Sequence, residues 1–380
     1  MPIKLNYVRS SVFYFLYYAG AAALIPFLAI HYKSLGFSGG QIGILTAVIP
    51  LVSLFSGPLW GALADSTRRH QQALILAMLG AIGFAILLAI PHSFYILFVL
   101  LLLFAFFSAP IMPLVDNATL EALGDHKEHY GRIRLWGAVG WGIAAPMIGY
   151  LTESSGLRWA FGGYVLLMGL GVLVALQLSI RSPHMNTLAS QDLRIILQNP
   201  RWRIFLIVAF VGGILLSAIS NFLFIYLQDI GANKTLLGFM LTVATLSELP
   251  VLYFSSVLLK RWSLLNLMIM ALFFFAIRAL AYSFISLPWT ALPIQFLHGF
   301  TFSLMWVAGI SYANQIAPQG MSAAAQGVFS GVMLGVGSAT GSLLGGFLFD
   351  AVGADWMFRV MAGIAVLAIG ILWRTRKLYE

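Results

Sequence analysis

The sequence predicts an all-α membrane protein in which twelve transmembrane helices form two pseudo-symmetric six-helix bundles. Composition is the first indication: 61% of the 380 residues are apolar and 9% are charged, against about 25% charged in soluble domains. Long apolar runs are the second, since several approach the roughly twenty residues that a helix needs to cross a bilayer. The third is a glycine and aromatic pattern that occurs in both halves of the chain.

Hydropathy places six spans on either side of a polar stretch. The first six are predicted at residues 7–32, 41–64, 72–90, 93–123, 132–151 and 157–180. The last six are predicted at residues 202–227, 235–259, 264–285, 287–316, 322–349 and 356–373. We therefore expect an N-terminal bundle over residues 1–180, a cytoplasmic linker over 181–200 and a C-terminal bundle over 201–380.

The two halves share a spaced set of glycine and aromatic residues. The second-half counterparts of Phe27, Gly36, Gly43, Gly140, Gly149, Gly156, Trp159 and Phe161 are Phe222, Gly231, Gly238, Gly337, Gly346, Gly353, Trp356 and Phe358. Such internal repetition is typical of transporters that arose by duplication.

Basic residues predict the orientation of the spans. The net charge of +9 does not indicate nucleic-acid binding, because lysines and arginines are spread over short loops rather than gathered in one tract. With the N-terminus in the cytoplasm, the opposite side receives only Lys33, Arg158, Lys234 and Arg359. The positive-inside rule then predicts a multi-pass protein of the cell inner (cytoplasmic) membrane with both termini cytoplasmic.

The loop after the second span is a candidate gating element. Asp65 is followed by Arg68 and Arg69. A carboxylate there can meet the backbone N–H groups of a neighbouring helix end and stabilise one conformation of a gate. The alternative is that the two arginines serve only as topology signals.

Charged residues inside the spans are the candidate functional residues. Asp116 and Arg134 lie in the first half, and Glu248, Arg278 and His298 lie in the second. Glu121 is near a helix end and is interpreted as interfacial. A charge in hydrocarbon is unfavourable unless it is paired, so the two carboxylates and two arginines are expected to balance.

Helical spacing relates Arg134 to an aromatic residue. Arg134, Ala138 and Trp141 follow at i, i+4 and i+7 and therefore share one face. A guanidinium, an indole and the Asp116 carboxylate suit a polar ligand with a flat apolar face, such as a sugar ring or an aromatic acid. The alternative is a structural Asp–Arg pair that ties two helices together.

In the second half, Glu248 lies two residues before Pro250, which is expected to break the helix locally. His298 shares a face with Gln295 and Thr301. The histidine is either a proton carrier or a structural hydrogen bonder. Tyr18 and Asn221 are further candidate substrate ligands, and ordinary packing is their alternative role.

The motifs exclude the common enzyme classes. There is no Gly-rich phosphate loop, nucleophile motif or metal-ligand spacing, and cysteine is absent. We expect no enzyme activity, no cofactor and no metal. Without a nucleotide site, transport would use an ion gradient or the gradient of the substrate itself.

At these residues the chain resembles the major facilitator superfamily, and within it the lactose permease, nucleoside–proton symporter and phenylpropionate permease group. The segments that carry the resemblance are residues 61–69, residues 131–141 with Asp116, Ser247-Glu248-Leu249, Arg278 and residues 297–302. The resemblance implies alternating access and a site that includes Asp116, Arg134, Trp141, Glu248, Arg278 and His298. It departs from the lactose permease relay at Gln295 and Thr301, which leaves Glu248, Asp116 and His298 as proton-coupling candidates.

The predicted function is therefore secondary transport, with proton symport of a small polar solute such as a sugar, nucleoside or aromatic acid. The predicted partners are that solute, the proton gradient and the lipid bilayer, and we expect a monomer. Two alternatives stay open: an exporter or antiporter of amphipathic compounds, and a membrane protein on the same fold that does not transport.

Overall fold

The computed structural model describes residues 2–91, 93–124, 126, 129–178, 198–319 and 321–375. Residues 181–197 of the predicted linker lie outside these ranges, so the domain boundary expected there stays a prediction.

Apolar runs in the described part of the first half form seven helices. They are α1 (Pro2–Ser34), α2 (Gly39–Thr67), α3 (His70–Leu88), α4 (Phe94–Ser108), α5 (Ile111–Leu123), α6 (Tyr130–Ser155) and α7 (Arg158–Ala175). The predicted fourth span comprises α4 and α5, which are separated next to Pro110, a residue without a backbone N–H.

The second half repeats this plan with more interruptions. Its helices are α8 (Pro200–Asp229), α9 (Lys234–Tyr253), α10 (Ser255–Arg261), α11 (Leu264–Tyr282), α12 (Ala291–Gln295), α13 (Leu304–Ile316), α14 (Ser322–Ser330) and α15 (Ser338–Thr375). A 3₁₀ turn (Pro288–Thr290) precedes α12, and π-helical turns occupy Gly299–Ser303 and Gly331–Gly337. Helix α9 continues through Pro250 and ends at Tyr253, so the break that Pro250 was expected to cause lies a few residues later.

The number of spans follows from helix length and composition. Within the described ranges, ten helices are long and apolar enough to cross a membrane. One of them, Ala324–Thr375, runs without a gap from α14 through the π-helical turn to the end of α15 and is 52 residues long. Its backbone is non-helical at Gly353, so it supplies two spans. Helix α6, with 26 residues, is long enough to supply the remaining span. The predicted all-α fold with twelve spans is confirmed.

Contacts divide the chain into two compact units. Unit 1 comprises Met1–Leu35, Leu51–Thr187 and Asn233–Thr242, and unit 2 comprises Gly36–Pro50, Leu188–Ala232 and Val243–Glu380. Each unit thus includes one short segment from the other half of the sequence, namely the first part of α2 or of α9.

The repeated glycines make equivalent contacts inside each unit. In unit 1, a methyl group on Gly140 of α6 would lie 2.3 Å from the carbonyl oxygen of Phe15 in α1. In unit 2, a methyl group on Gly337 would lie 2.6 Å from the carbonyl oxygen of Phe210 in α8. Small residues let such helix backbones touch. The repeat predicted from sequence therefore corresponds to the same packing in both units.

Candidate functional site

Unit 1 contains a polar cluster built by α1, α5 and α6. Asp116 lies on α5, Arg134 on α6, and Tyr14 and Tyr18 on α1. The Tyr14 hydroxyl donates to Asp116 Oδ1 at 2.5 Å, and Arg134 Nη1 donates to Asp116 Oδ2 at 3.3 Å. Both carboxylate oxygens therefore have a donor, and the predicted pairing of Asp116 with Arg134 is present in the structure.

Arg134 also contacts two tyrosine hydroxyls. Its Nη1 donates to Tyr130 at 2.9 Å, and its Nη2 donates to Tyr18 at 3.2 Å. Gly137 makes room for the Tyr18 ring, because a methyl group there would lie 2.4 Å from the ring. The side chain of Arg134 remains 47% exposed. Each tyrosine oxygen accepts from the guanidinium and keeps its own proton as a donor.

Trp141 has a different environment from Arg134. It packs against a small apolar cluster of unit 1 that consists of Ala19, Ala22, Ala144 and Ala145. Two helical turns separate it from Arg134, which is about 10 Å along the axis. Its role as a stacking surface for the ligand stays a prediction.

Unit 2 contains a second cluster, centred on His298. His298 Nε2 lies 3.2 Å from Glu248 Oε1, and His298 Nδ1 lies 3.0 Å from Arg278 Nη1. The imidazole thus connects the two charged residues that the sequence analysis expected near it.

These contacts determine the tautomer of His298. A guanidinium can only donate hydrogen bonds, so Nδ1 must be the acceptor and carries no proton. The ring proton of the neutral imidazole is then on Nε2, where it donates to Glu248. A second proton could bind only at Nδ1, and that would require Arg278 to move away. In this conformation His298 is a neutral hydrogen-bond donor to Glu248.

Arg278 is enclosed by its partners. Its Nη2 donates to Gln295 at 2.9 Å, its Nη1 also approaches Thr301 Oγ1 at 3.4 Å, and its Nε approaches the Tyr282 hydroxyl at 3.4 Å. The Tyr282 hydroxyl in turn donates to Gln295 Oε1. Arg278 is only 1% exposed, so a solute does not reach it in this conformation. Gln295 and Thr301, which depart from the lactose permease pattern, are here hydrogen-bond acceptors for Arg278.

A backbone contact between α9 and the π-helical turn holds the Glu248–His298 pair. The N–H of Gly299 donates to Ser247 Oγ at 2.9 Å. A methyl group on Gly299 would lie 2.0 Å from the carbonyl oxygen of Ser247. Glu248 and His298 are the chain neighbours of this contact, so it sets the distance between their side chains.

The other predicted site residues lie apart from these contacts. Asn221 Nδ2 donates to Ser217 at 3.0 Å and to Ser342 at 2.9 Å, a set that links α8 to α15. At the end of α2, Asp65 Oδ1 lies 2.8 Å from Nε2 of His70, which is buried at the start of α3. Arg68 has a positive φ of 55°, and both Arg68 and Arg69 are exposed. The gating role of these three residues and substrate binding by Asn221 stay predictions.

Sequence reasoning assigned no role to Tyr130, Tyr282, Ser247 and His70. Helical spacing contained a signal for two of them, because Tyr130 precedes Arg134 by one turn and Tyr282 follows Arg278 by one turn. Ser247 and His70 act through contacts between helices, for which a single sequence contains no spacing signal.

A twelve-span fold with a balanced charge cluster in each unit defines a multi-pass membrane transporter rather than an enzyme. The chain belongs to the MFS_1 like family, whose sequence model matches residues 7–360. The predicted membership of the major facilitator superfamily is confirmed.

Individual relatives span nearly the whole chain. The chain is 28% identical over 376 residues to a maltose permease of Geobacillus stearothermophilus, covering 96% of this chain and 94% of that protein. It is 26% identical over 366 residues to a probable 3-phenylpropionic acid transporter of Escherichia coli (strain K12), covering 94% of each. A crystal structure of the nucleoside transporter NupG has the same fold, with a TM-score of 0.85 at 17% identity over 98% of this chain and 99% of that chain.

Proposed function

We propose that this protein is a proton-coupled importer of a neutral, hydroxyl-bearing solute, which it carries by alternating access. The observation that supports this most is the charge balance of the unit 1 cluster. There Arg134 is paired with Asp116, and the tyrosine hydroxyls around it offer donors and acceptors.

The solute class follows from this balance. An anionic acid entering the site would need an unpaired cation, but Arg134 already has a carboxylate partner in the described structure. A sugar or nucleoside needs hydrogen-bond partners and an apolar ring surface rather than an extra charge. The maltose permease relative supports a sugar, and the phenylpropionic acid transporter relative represents the competing class.

Proton coupling is assigned to Glu248 among the three candidates. Asp116 accepts bonds from both Tyr14 and Arg134, so a proton carried there would disrupt its ion pair with Arg134. His298 has its Nδ1 occupied by Arg278. Glu248 is about as exposed as Asp116, at 24% against 25%. Its partner is a neutral imidazole, so a proton carried there would not break a contact with a guanidinium.

The proposed setting is the cell inner membrane, with both termini in the cytoplasm and the protein acting as a monomer. The distribution of lysines and arginines supports this orientation. The orientation is tested with a reporter tag at each terminus and a membrane-impermeant reagent added to intact cells. Labelling of either tag from outside would overturn this orientation.

The substrate proposal is tested with purified protein. Thermal unfolding is measured with maltose and other disaccharides, with nucleosides and with 3-phenylpropionate, because a ligand that binds only the folded state raises the Tm. We expect a neutral sugar or nucleoside to raise it. A rise with 3-phenylpropionate alone would overturn the neutral-solute proposal. Uptake into vesicles under inward and reversed pH gradients then distinguishes import from export.

Replacement of Arg134 by lysine is expected to weaken solute binding by about 10-fold to 100-fold, because an ammonium group lacks the planar fork that engages Asp116, Tyr130 and Tyr18 together. The measurement is solute affinity by titration calorimetry. The matched control is Arg132→Lys, since Arg132 is exposed two residues away on α6. Equal affinities in the two variants would remove Arg134 from the binding site.

A further inference from the structure

Helix α2 begins on a carboxylate of unit 2. The backbone N–H groups of Gly39 and Gly40 donate to Asp350 Oδ1 at 2.6 Å and to Asp350 Oδ2 at 2.7 Å. The first N–H groups of a helix have no partner within the helix, and the positive end of its dipole favours an anion. Gly39 favours this approach, because a methyl group there would lie 2.6 Å from Asp350 Oδ1 and 2.9 Å from the carbonyl oxygen of Gly346.

Helix α9 begins in the same way in unit 1. The backbone N–H of Lys234 donates to Glu153 Oε2 at 2.8 Å, and Lys234 Nζ lies 3.8 Å from the same oxygen. Glu153 is near the end of α6, so this carboxylate also joins the start of one helix to another helix.

The two arrangements are equivalent under the internal repeat. Lys234 follows Gly39 by the offset that relates Phe222 to Phe27. Asp350 follows Glu153 by the offset that relates Gly337 to Gly140. Two independent contacts of the same chemistry at repeat-related positions indicate a shared role.

Each capped segment is the first part of a longer helix. Gly36–Pro50 belongs to unit 2, whereas α2 continues from Leu51 as part of unit 1. Asn233–Thr242 belongs to unit 1, whereas α9 continues from Val243 as part of unit 2. Each carboxylate therefore holds the one segment that its unit receives from the other half of the sequence.

We propose that Asp350 and Glu153 are a pair of latches that hold the first parts of α2 and α9, and that both latches open in the same conformational step of transport. A charge-assisted hydrogen bond to a helix start suits this role, because it is directional and can be exchanged for water without disrupting the helix. This inference rests on the alternating access in the proposed function.

The absence of cysteine from the chain allows each segment to carry a single reporter. Leu45 in α2 and Leu237 in α9 are both 0% exposed, so Leu45→Cys and Leu237→Cys should react slowly with a small polar thiosulfonate reagent. In each background, Asp350→Asn and Glu153→Gln are introduced separately, and the modification rate is measured in membranes without any solute. Loss of a helix cap shifts the folding equilibrium of the helix by roughly 2-fold to 30-fold. We expect the rate of cysteine modification to increase by a factor of that size.

The decisive measurement is the effect of each substitution on the segment that the other carboxylate caps. We expect Asp350→Asn to accelerate modification at position 237 as well as 45, and Glu153→Gln to accelerate it at 45 as well as 237. Acceleration only in the segment that each carboxylate caps, or none at all, would overturn the proposal. Glu121→Gln is the control for loss of a carboxylate, because Glu121 is exposed on α5, and it should leave both rates unchanged. Solute uptake is not measured, so a wrong substrate assignment does not affect this test.

Discussion

Replacement of Glu248 by glutamine is expected to abolish uphill accumulation of the solute while preserving its binding and its exchange across the membrane. Glutamine keeps the size of the side chain and its acceptor oxygen toward His298 Nε2, which lies 3.2 Å from the present carboxylate. It removes the change in charge on which coupling to a proton depends.

The size of the effect follows from linkage. With one proton carried per solute, a gradient of one pH unit can support about tenfold accumulation, because one unit corresponds to about 1.4 kcal/mol. Glu248→Gln should reduce the accumulation ratio to about one. The measurement is solute uptake into vesicles with an imposed pH gradient, paired with exchange of labelled solute at equal pH on both sides.

Two further variants separate coupling from binding. Glu121→Gln removes an exposed carboxylate on α5 and should accumulate solute like the unaltered protein. Asp116→Asn removes the partner of Arg134 and should weaken binding, yet it should still allow accumulation at saturating solute. Full uphill accumulation by Glu248→Gln would show that the proton binds elsewhere.

The fold was predictable because its main determinants are local. The length and composition of each apolar run specify a span, and no knowledge of neighbours is needed. The spacing of Gly140 and Gly337 also predicted an internal repeat, and the structure shows equivalent close contacts between helix backbones at both glycines. The unit to which the first parts of α2 and α9 belong was not predictable, because it depends on contacts with helices distant in sequence.

The charged members of the two polar clusters were predictable from the sequence, and their contacts were less so. Intramembrane charge identified Asp116, Arg134, Glu248 and His298, because an unpaired charge in hydrocarbon is too unfavourable to occur without a partner. Burial depends on tertiary packing, so the sequence did not distinguish the half-exposed Arg134 from the enclosed Arg278. The neutral state of His298 likewise depends on which side chain meets Nδ1, and helix spacing does not specify that contact.

Replacement of Gly299 by alanine is expected to reduce proton-coupled uptake at least tenfold although Gly299 carries no side chain. The added methyl group would lie 2.0 Å from the carbonyl oxygen of Ser247 and 3.1 Å from the backbone nitrogen of Glu248. Backbone atoms cannot rotate away, so α9 and the π-helical turn must separate. The bond from Gly299 N–H to Ser247 Oγ, now 2.9 Å, would then be lost, and the Glu248–His298 contact would lengthen with it.

The measurement for Gly299→Ala is the initial uptake rate under a pH gradient together with the Tm, because overpacking costs about 1–3 kcal/mol of stability. Gly363→Ala is the matched control, since a methyl group there meets nothing within 4 Å. Ser247→Ala provides an intermediate step: it removes the acceptor for Gly299 N–H without forcing the helices apart, so its loss of uptake should be smaller. Equal uptake rates in Gly299→Ala and Gly363→Ala would contradict this prediction. They would mean that α9 and the π-helical turn can separate without any effect on coupling.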